Sequence, residues 1–194
     1  MAINTKAALA LSRAAGLVVA TKSLADYTRN IRYAIRSYWK GIAGFDSPID
    51  LTIGLMDAIQ RGFTQAWAAG AAEWGIKPAD YTEGERQALQ GKINDQFPYV
   101  NALANRIVPK SRGGLLRDAF KEANLFLGRY GEVQNAARVM TGRNAPLEWV
   151  LGVAEHCSSC VKLAGKVKRA SWWQSNGILP RVPGAPYLEC RGFN

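Results

Sequence analysis

A chain of 194 residues, 48% of them apolar, has the size and composition of one well-cored domain, or of a body with a small appendage, rather than of a disordered segment. Its formal net charge of +10 is unevenly placed: residues 1–40 carry +6, residues 41–150 are neutral and residues 151–194 carry +4. No stretch approaches the roughly 20 apolar residues of a membrane span, and around the single histidine no Ser/His/Asp or Cys/His arrangement can be argued beyond His156 beside Cys157.

Residues 1–22 read as a basic N-terminal arm. The apolar run 7–11 follows Lys6 as in a signal peptide, but Arg13 interrupts it and the next run, 16–20, is short, so export is not expected. Residues 23–145 read as a helical body. From 23 to 40, Tyr27, Ile31, Ala34 or Ile35, and Tyr38 share one stripe, while Arg29, Arg32, Arg36 and Lys40 line the other side. Gly41 and Gly44 end this helix. A second begins with Asp46 or Ser47 as N-cap, Pro48 at the first helical position and Asp50 in the first turn. It carries Leu51, Leu55, Ile59, Phe63 and Trp67 and extends to Gly75, with Pro78 beyond. The small residues at 66–72 predict close helix packing.

Thr82-x-x-Glu85 is a capping box that opens a third helix, with Leu89, Ile93 and Phe97 as its stripe. Pro98 interrupts it before Val100, Leu103 and Ile107 resume. Pro109, Gly113 and Gly114 mark a break, and a fourth helix runs from about 115 to 140, closed by Gly142. Beyond it the helical period is lost. Residues 146–194 read as a loop-rich C-terminal Cys module with clustered Trp149, Trp172 and Trp173 and a turning loop at Pro180, Pro183, Gly184 and Pro186. Such a segment holds little core alone, so a metal or docking on the body is expected to order it.

All three cysteines lie in this module, an odd number that suits a reducing cytoplasm better than a disulfide framework. Cys157 and Cys160 stand at C-x-x-C spacing and Cys190 returns after a loop, so the three thiolates are expected to converge on one tetrahedral ion as a structural zinc knuckle. The plainer alternative is three ordinary reduced thiols. His156 either supplies a fourth ligand or stays on the surface, because adjacent side chains need not converge. A water or a residue of another chain would also complete the shell.

Lys162, Lys166, Lys168 and Arg169 stand among Trp172 and Trp173. They suit phosphate contact with base stacking, or else form a solvated loop whose rings pack inward. With Arg29, Arg32, Arg36 and Lys40 they are the candidate contacts to nucleic acid or an acidic partner, two basic ends around a neutral body. No P-loop or dinucleotide fingerprint occurs, and Glu83, Glu85, Asp46 and Asp50 are helix-start charges, so no enzyme is expected.

The same residues carry a resemblance. His156-Cys157-x-x-Cys160-x-x-Leu163-x-Gly165-Lys166-Val167, Ala170-Ser171-x-Trp173 and Leu188-Glu189-Cys190-x-Gly192 resemble the C-terminal signature of tailed-bacteriophage minor head proteins, the head-morphogenesis family. Tyr38-Trp39-x-Gly41, Ala66-Trp67-x-x-Gly70, Arg129-Tyr130 and Leu147-Glu148-Trp149-Val150-Leu151-Gly152 are similar as well, so the likeness spans the chain from about Tyr38. The C-terminal part is the more specific. Members of the family usually carry a further Cys-x-Cys after the glycine, whereas this chain ends Arg191-Gly192-Phe193-Asn194.

The resemblance implies a mainly α-helical protein found in virions, and in the host cytoplasm during assembly. It would be present in few copies and would associate with portal and capsid proteins, with packaged DNA as a further contact and no small-molecule substrate. The competing expectation, from another class, is a zinc-module nucleic-acid-binding protein acting outside the virion.

Overall fold

The computed structural model describes residues 5–151, 155–178 and 187–190, the first eighteen of these by their backbone alone. The expected loop at Pro180, Pro183, Gly184 and Pro186, and Gly192, lie outside the described residues. The protein is mainly helical. Five helices build the body: α1 (Thr5–Lys40), α2 (Pro48–Ala72), α3 (Glu83–Asn94), α4 (Phe97–Arg106) and α5 (Leu116–Thr141). Short 3-10 turns at Pro78–Asp80 and Lys110–Arg112 join α2 to α3 and α4 to α5.

Local chemistry sets most of these ends. Ser47 is the N-cap of α2: its hydroxyl accepts from the Asp50 N–H, and the Asp50 carboxylate accepts from the Ser47 N–H at 2.9 Å. Asp46 does not cap the helix; its own N–H donates to the same carboxylate. Thr82 and Glu85 form the second reciprocal box, which is why Glu85 is buried although charged. Pro98 sits in the first turn of α4, where a missing N–H costs nothing, so the expected interruption becomes a clean break between α3 and α4. Two boundaries differ from expectation. The helix expected to begin at 23 starts at Thr5, and α2 ends at Ala72, with Gly75 in the left-handed turn that follows.

The core lies where α1, α2, α4 and α5 meet. Tyr27, Ile31, Ala34, Ile35 and Tyr38 of α1 are all buried, as the stripe predicts, against Leu51, Leu55, Ile59, Phe63 and Trp67 of α2 and Phe126, Tyr130 and Val133 of α5. The Tyr27 hydroxyl donates to the Phe126 carbonyl oxygen at 2.9 Å, so this buried phenol is paired.

Two glycines of α2 are contact points. A methyl at Gly62 would stand 2.2 Å from the Tyr27 ring, and one at Gly70 would stand 2.2 Å from the Gln134 carbonyl oxygen of α5. The neighbour at Gly70 is backbone and cannot swing aside. Gly70→Ala is therefore expected to cost about 1–3 kcal/mol as the helices are pried apart. Gly91→Ala, where the added methyl meets nothing, is expected to be neutral or stabilising by up to about 1 kcal/mol. Urea midpoints of the two variants check this, and equal midpoints would contradict the close approach of α2 and α5.

Arg143 and Asn144, both at positive φ, turn the chain out of α5 into the C-terminal module. Strands β1 (Pro146–Glu148) and β2 (Val167–Arg169) pair antiparallel, with Leu147 opposite Lys168. Short helices α6 (Ser158–Leu163) and α7 (Ala170–Ser175) flank β2. The module has a small core of its own: Trp149, Trp173, Ile178, Leu188 and Cys160 are buried together. A cleft of about 410 Å³ separates it from the body, walled by Trp74 and the Arg138–Glu73 ion pair on one side and Trp149 and Trp173 on the other.

Candidate metal centre

Cys157 has extended backbone and is the residue just before α6, so its side chain turns back toward the first turn of that helix. Cys160, one turn on, points inward and is 6% exposed. Cys190 arrives from the far end of the module. The loop that carries it is tied to α6 on both sides: the Ser158 hydroxyl donates to the Glu189 carboxylate at 2.5 Å, and the Glu189 N–H donates to the Ser159 hydroxyl at 3.2 Å. Leu188, buried in the module core, anchors the same loop.

The three sulfurs therefore converge. Cys157 and Cys160 Sγ are 3.6 Å apart, Cys160 and Cys190 Sγ are 3.9 Å apart, and all three lie within 4.8 Å of one another. All are free thiols. The N–H of Cys160, and after it that of Cys190, donate toward the Cys157 sulfur and hold its pKa down at about 6. Cys160 is pushed up to about 12, first by burial and then by the neighbouring sulfurs. Burial and mutual repulsion thus oppose more than one thiolate here, and a cation among them reverses that opposition, since a coordinated thiol is deprotonated outright. The three cysteines can hold a metal ion. His156 is partly buried but is not among the converging atoms.

Packing of the tryptophans explains how the site is held. The Trp173 indole N–H reaches the carbonyl oxygens of Leu147 and Lys168, both at 3.1 Å, and so fastens β1 to β2. Trp149 lies 5.6 Å from Trp173, ring to ring, and exchanges backbone hydrogen bonds with Gly165 and Lys166. These two rings are core, so they are unavailable to stack on bases. Trp172, by contrast, stays part-exposed beneath the Lys168 ammonium at 5.5 Å.

The other predicted contacts divide in the same way. Lys162, Lys166, Lys168 and Arg169 are exposed, and Arg169 also reaches the Asn144 carbonyl oxygen. On α1, Arg29 pairs with Asp26 at 3.0 Å, Arg32 and Arg36 lie over the Phe120 ring of α5, and Lys40 is exposed. The positioning of Cys190 by Ser158, Ser159 and Glu189 was not read from the sequence, although Glu189 stands in the C-terminal signature: a serine–carboxylate tie across 31 residues has no local pattern. Among the described residues, no helix is long and apolar enough to cross a membrane. Compared with protein families, curated proteins and solved structures, the chain matches none.

Proposed function

We propose that this chain is a minor head protein of a tailed bacteriophage, a helical structural component that docks on portal and capsid during head assembly and meets the packaged DNA. The observation that carries this reading is that the residues of the C-terminal resemblance serve one structural purpose. Cys157, Cys160 and Cys190 are the converging thiols, while Leu163, Trp173 and Leu188 belong to the core that encloses them. A motif scattered over more than thirty residues thus acts as one ordered module, as a docking element of an assembly protein needs.

The ion proposed for the site is zinc. A tetrahedral zinc with bonds of about 2.3 Å to sulfur spaces its thiolates by about 3.8 Å, against 3.6 and 3.9 Å between the sulfurs here. Three soft thiolates also favour zinc over the hard cations. Its part is structural, closing the loop from α6 to Cys190. The same site fits the second reading, a zinc-module nucleic-acid binder acting outside the virion, which the exposed Lys168–Trp172 pair favours.

Partner choice separates the two. A minor head protein holds its portal partner at a salt concentration that removes DNA binding, because a specific protein interface rests on buried apolar area as well as charge. Co-purification with the cognate portal at high salt is the expected result. Failure to associate, together with tight sequence-selective DNA binding at physiological salt, would overturn the head-protein reading in favour of the second.

A further inference from the structure

Residues 41–150 carry no net charge in sequence, yet the fold sorts their cations and sets some of them beside those of α1. Arg32 and Arg36, one turn apart on α1, both lie over the Phe120 ring of α5, at 5.6 and 5.8 Å. Trp39, also on α1, donates from its indole N–H to the Gly114 carbonyl oxygen at 2.9 Å, which draws in the 3-10 turn and sets Lys110 over the Trp39 ring at 5.7 Å. Lys40 lies one turn beyond Arg36, Arg112 shares the turn with Lys110, and Lys121 follows Phe120; all three are exposed. None of these six cations forms an ion pair among the described residues; Arg117, nearby, is matched to Asp118 at 3.5 Å.

We infer that this platform, made by α1, the Lys110–Arg112 turn and the start of α5, is a docking surface for the phosphate backbone of duplex DNA. The charge is unneutralised, and Arg32, Arg36 and Lys110 are held in place by rings of the fold, so these cations need little further ordering on binding. The aromatic rings decide the kind of nucleic acid. Single-strand binders offer bare rings to bases, whereas Phe120 and Trp39 are already covered by their own cations. Around these two rings what faces outward is charge, which reads backbone and not sequence, while Val108 and Leu115 are the exposed apolar side chains of the same stretch. Covered rings also distinguish the platform from an interface for an acidic protein, whose centre is apolar and whose charges lie at the rim. The inference holds whether or not the chain binds a portal.

The test is fluorescence anisotropy of the full chain with a short random-sequence duplex, across about 50 to 200 mM salt. The variant Arg32→Gln/Arg36→Gln/Lys110→Gln is expected to bind at least about tenfold more weakly, with the salt slope reduced by about one for each phosphate no longer neutralised. The charge-matched control Arg61→Gln/Lys77→Gln/Arg86→Gln, on α2, the turn after it and α3, is expected to stay within about threefold of the parent, and Arg32→Lys/Arg36→Lys to retain the parent's slope. Equal weakening in the platform and control variants would overturn the proposal, since net charge alone would then explain binding. So would a platform variant that loses binding to polyglutamate but keeps binding to DNA. Thermal melts confirm that the exposed substitutions leave the fold intact.

Discussion

Cys160→Ser is expected to abolish metal binding and to unfold the C-terminal module while the helical body stays folded. Cys160 is the shared vertex of the sulfur triangle and the most buried of the three cysteines. A hydroxyl there removes a thiolate and leaves a polar group among Trp149, Trp173 and Leu188. Structural zinc in small modules contributes about 10–16 kcal/mol of apparent binding free energy at pH 7, far more than a core this small supplies alone. The body is insulated because its core is a separate cluster on α1 to α5.

Metal content of protein purified without chelator, read beside limited proteolysis, checks the expectation. One zinc per chain should fall to near zero in the variant, and cleavage within 155–178 should precede any cut in the body. Cys190→Ser, at a less buried position, should lose the ion in the same way. Absence of metal from fresh parent protein, or content unchanged by either substitution, would remove the zinc proposal and leave three reduced thiols.

Trp67→Ala is expected to destabilise the body by about 3–5 kcal/mol, a large part of the roughly 5–15 kcal/mol that a domain possesses. Trp67 is fully buried in α2, between the layers of the core, and no neighbouring side chain can fill the space an indole leaves. Trp67→Phe should cost much less than Trp67→Ala. Part of the reason is volume, and part is that the buried indole N–H has no hydrogen-bond partner among the described residues, so removing it relieves a desolvated donor. Urea denaturation followed by helical circular dichroism measures both. Equal destabilisation by Phe and Ala would show that the N–H, not the ring, sets the contribution of this residue.

The helical body was largely legible because its signals are local. Both capping boxes need only residues three apart, Pro98 breaks the helix by its own ring, and the α1 stripe repeats at a spacing that any helix converts into one face. The start of α1 at Thr5 was missed because the apolar residues there read as two short runs, 7–11 and 16–20, broken by Arg13, and not as one helical stripe. The module was legible only in its cysteines. Three-residue strands and six-residue helices are too short to show a period, and the contacts that hold them, such as the Trp173 indole on two carbonyl oxygens, join positions far apart in sequence.

Sequence by itself determined the helical stripes of the body, its two capping boxes, the break at Pro98 and the restriction of all thiols to one segment, since each depends on neighbours within a turn or two. Only the tertiary structure decided that Cys190 meets Cys157 and Cys160, that Trp149 and Trp173 form a core while Trp172 does not, and that Lys110, Arg112 and Lys121 stand beside Arg32, Arg36 and Lys40. Charge counted along the chain averages Lys110, Arg112 and Lys121 against carboxylates that folding places elsewhere. Coulomb interactions follow distance in space, so a stretch that is neutral in sequence contributes to an unbalanced face once α1 and α5 are packed together.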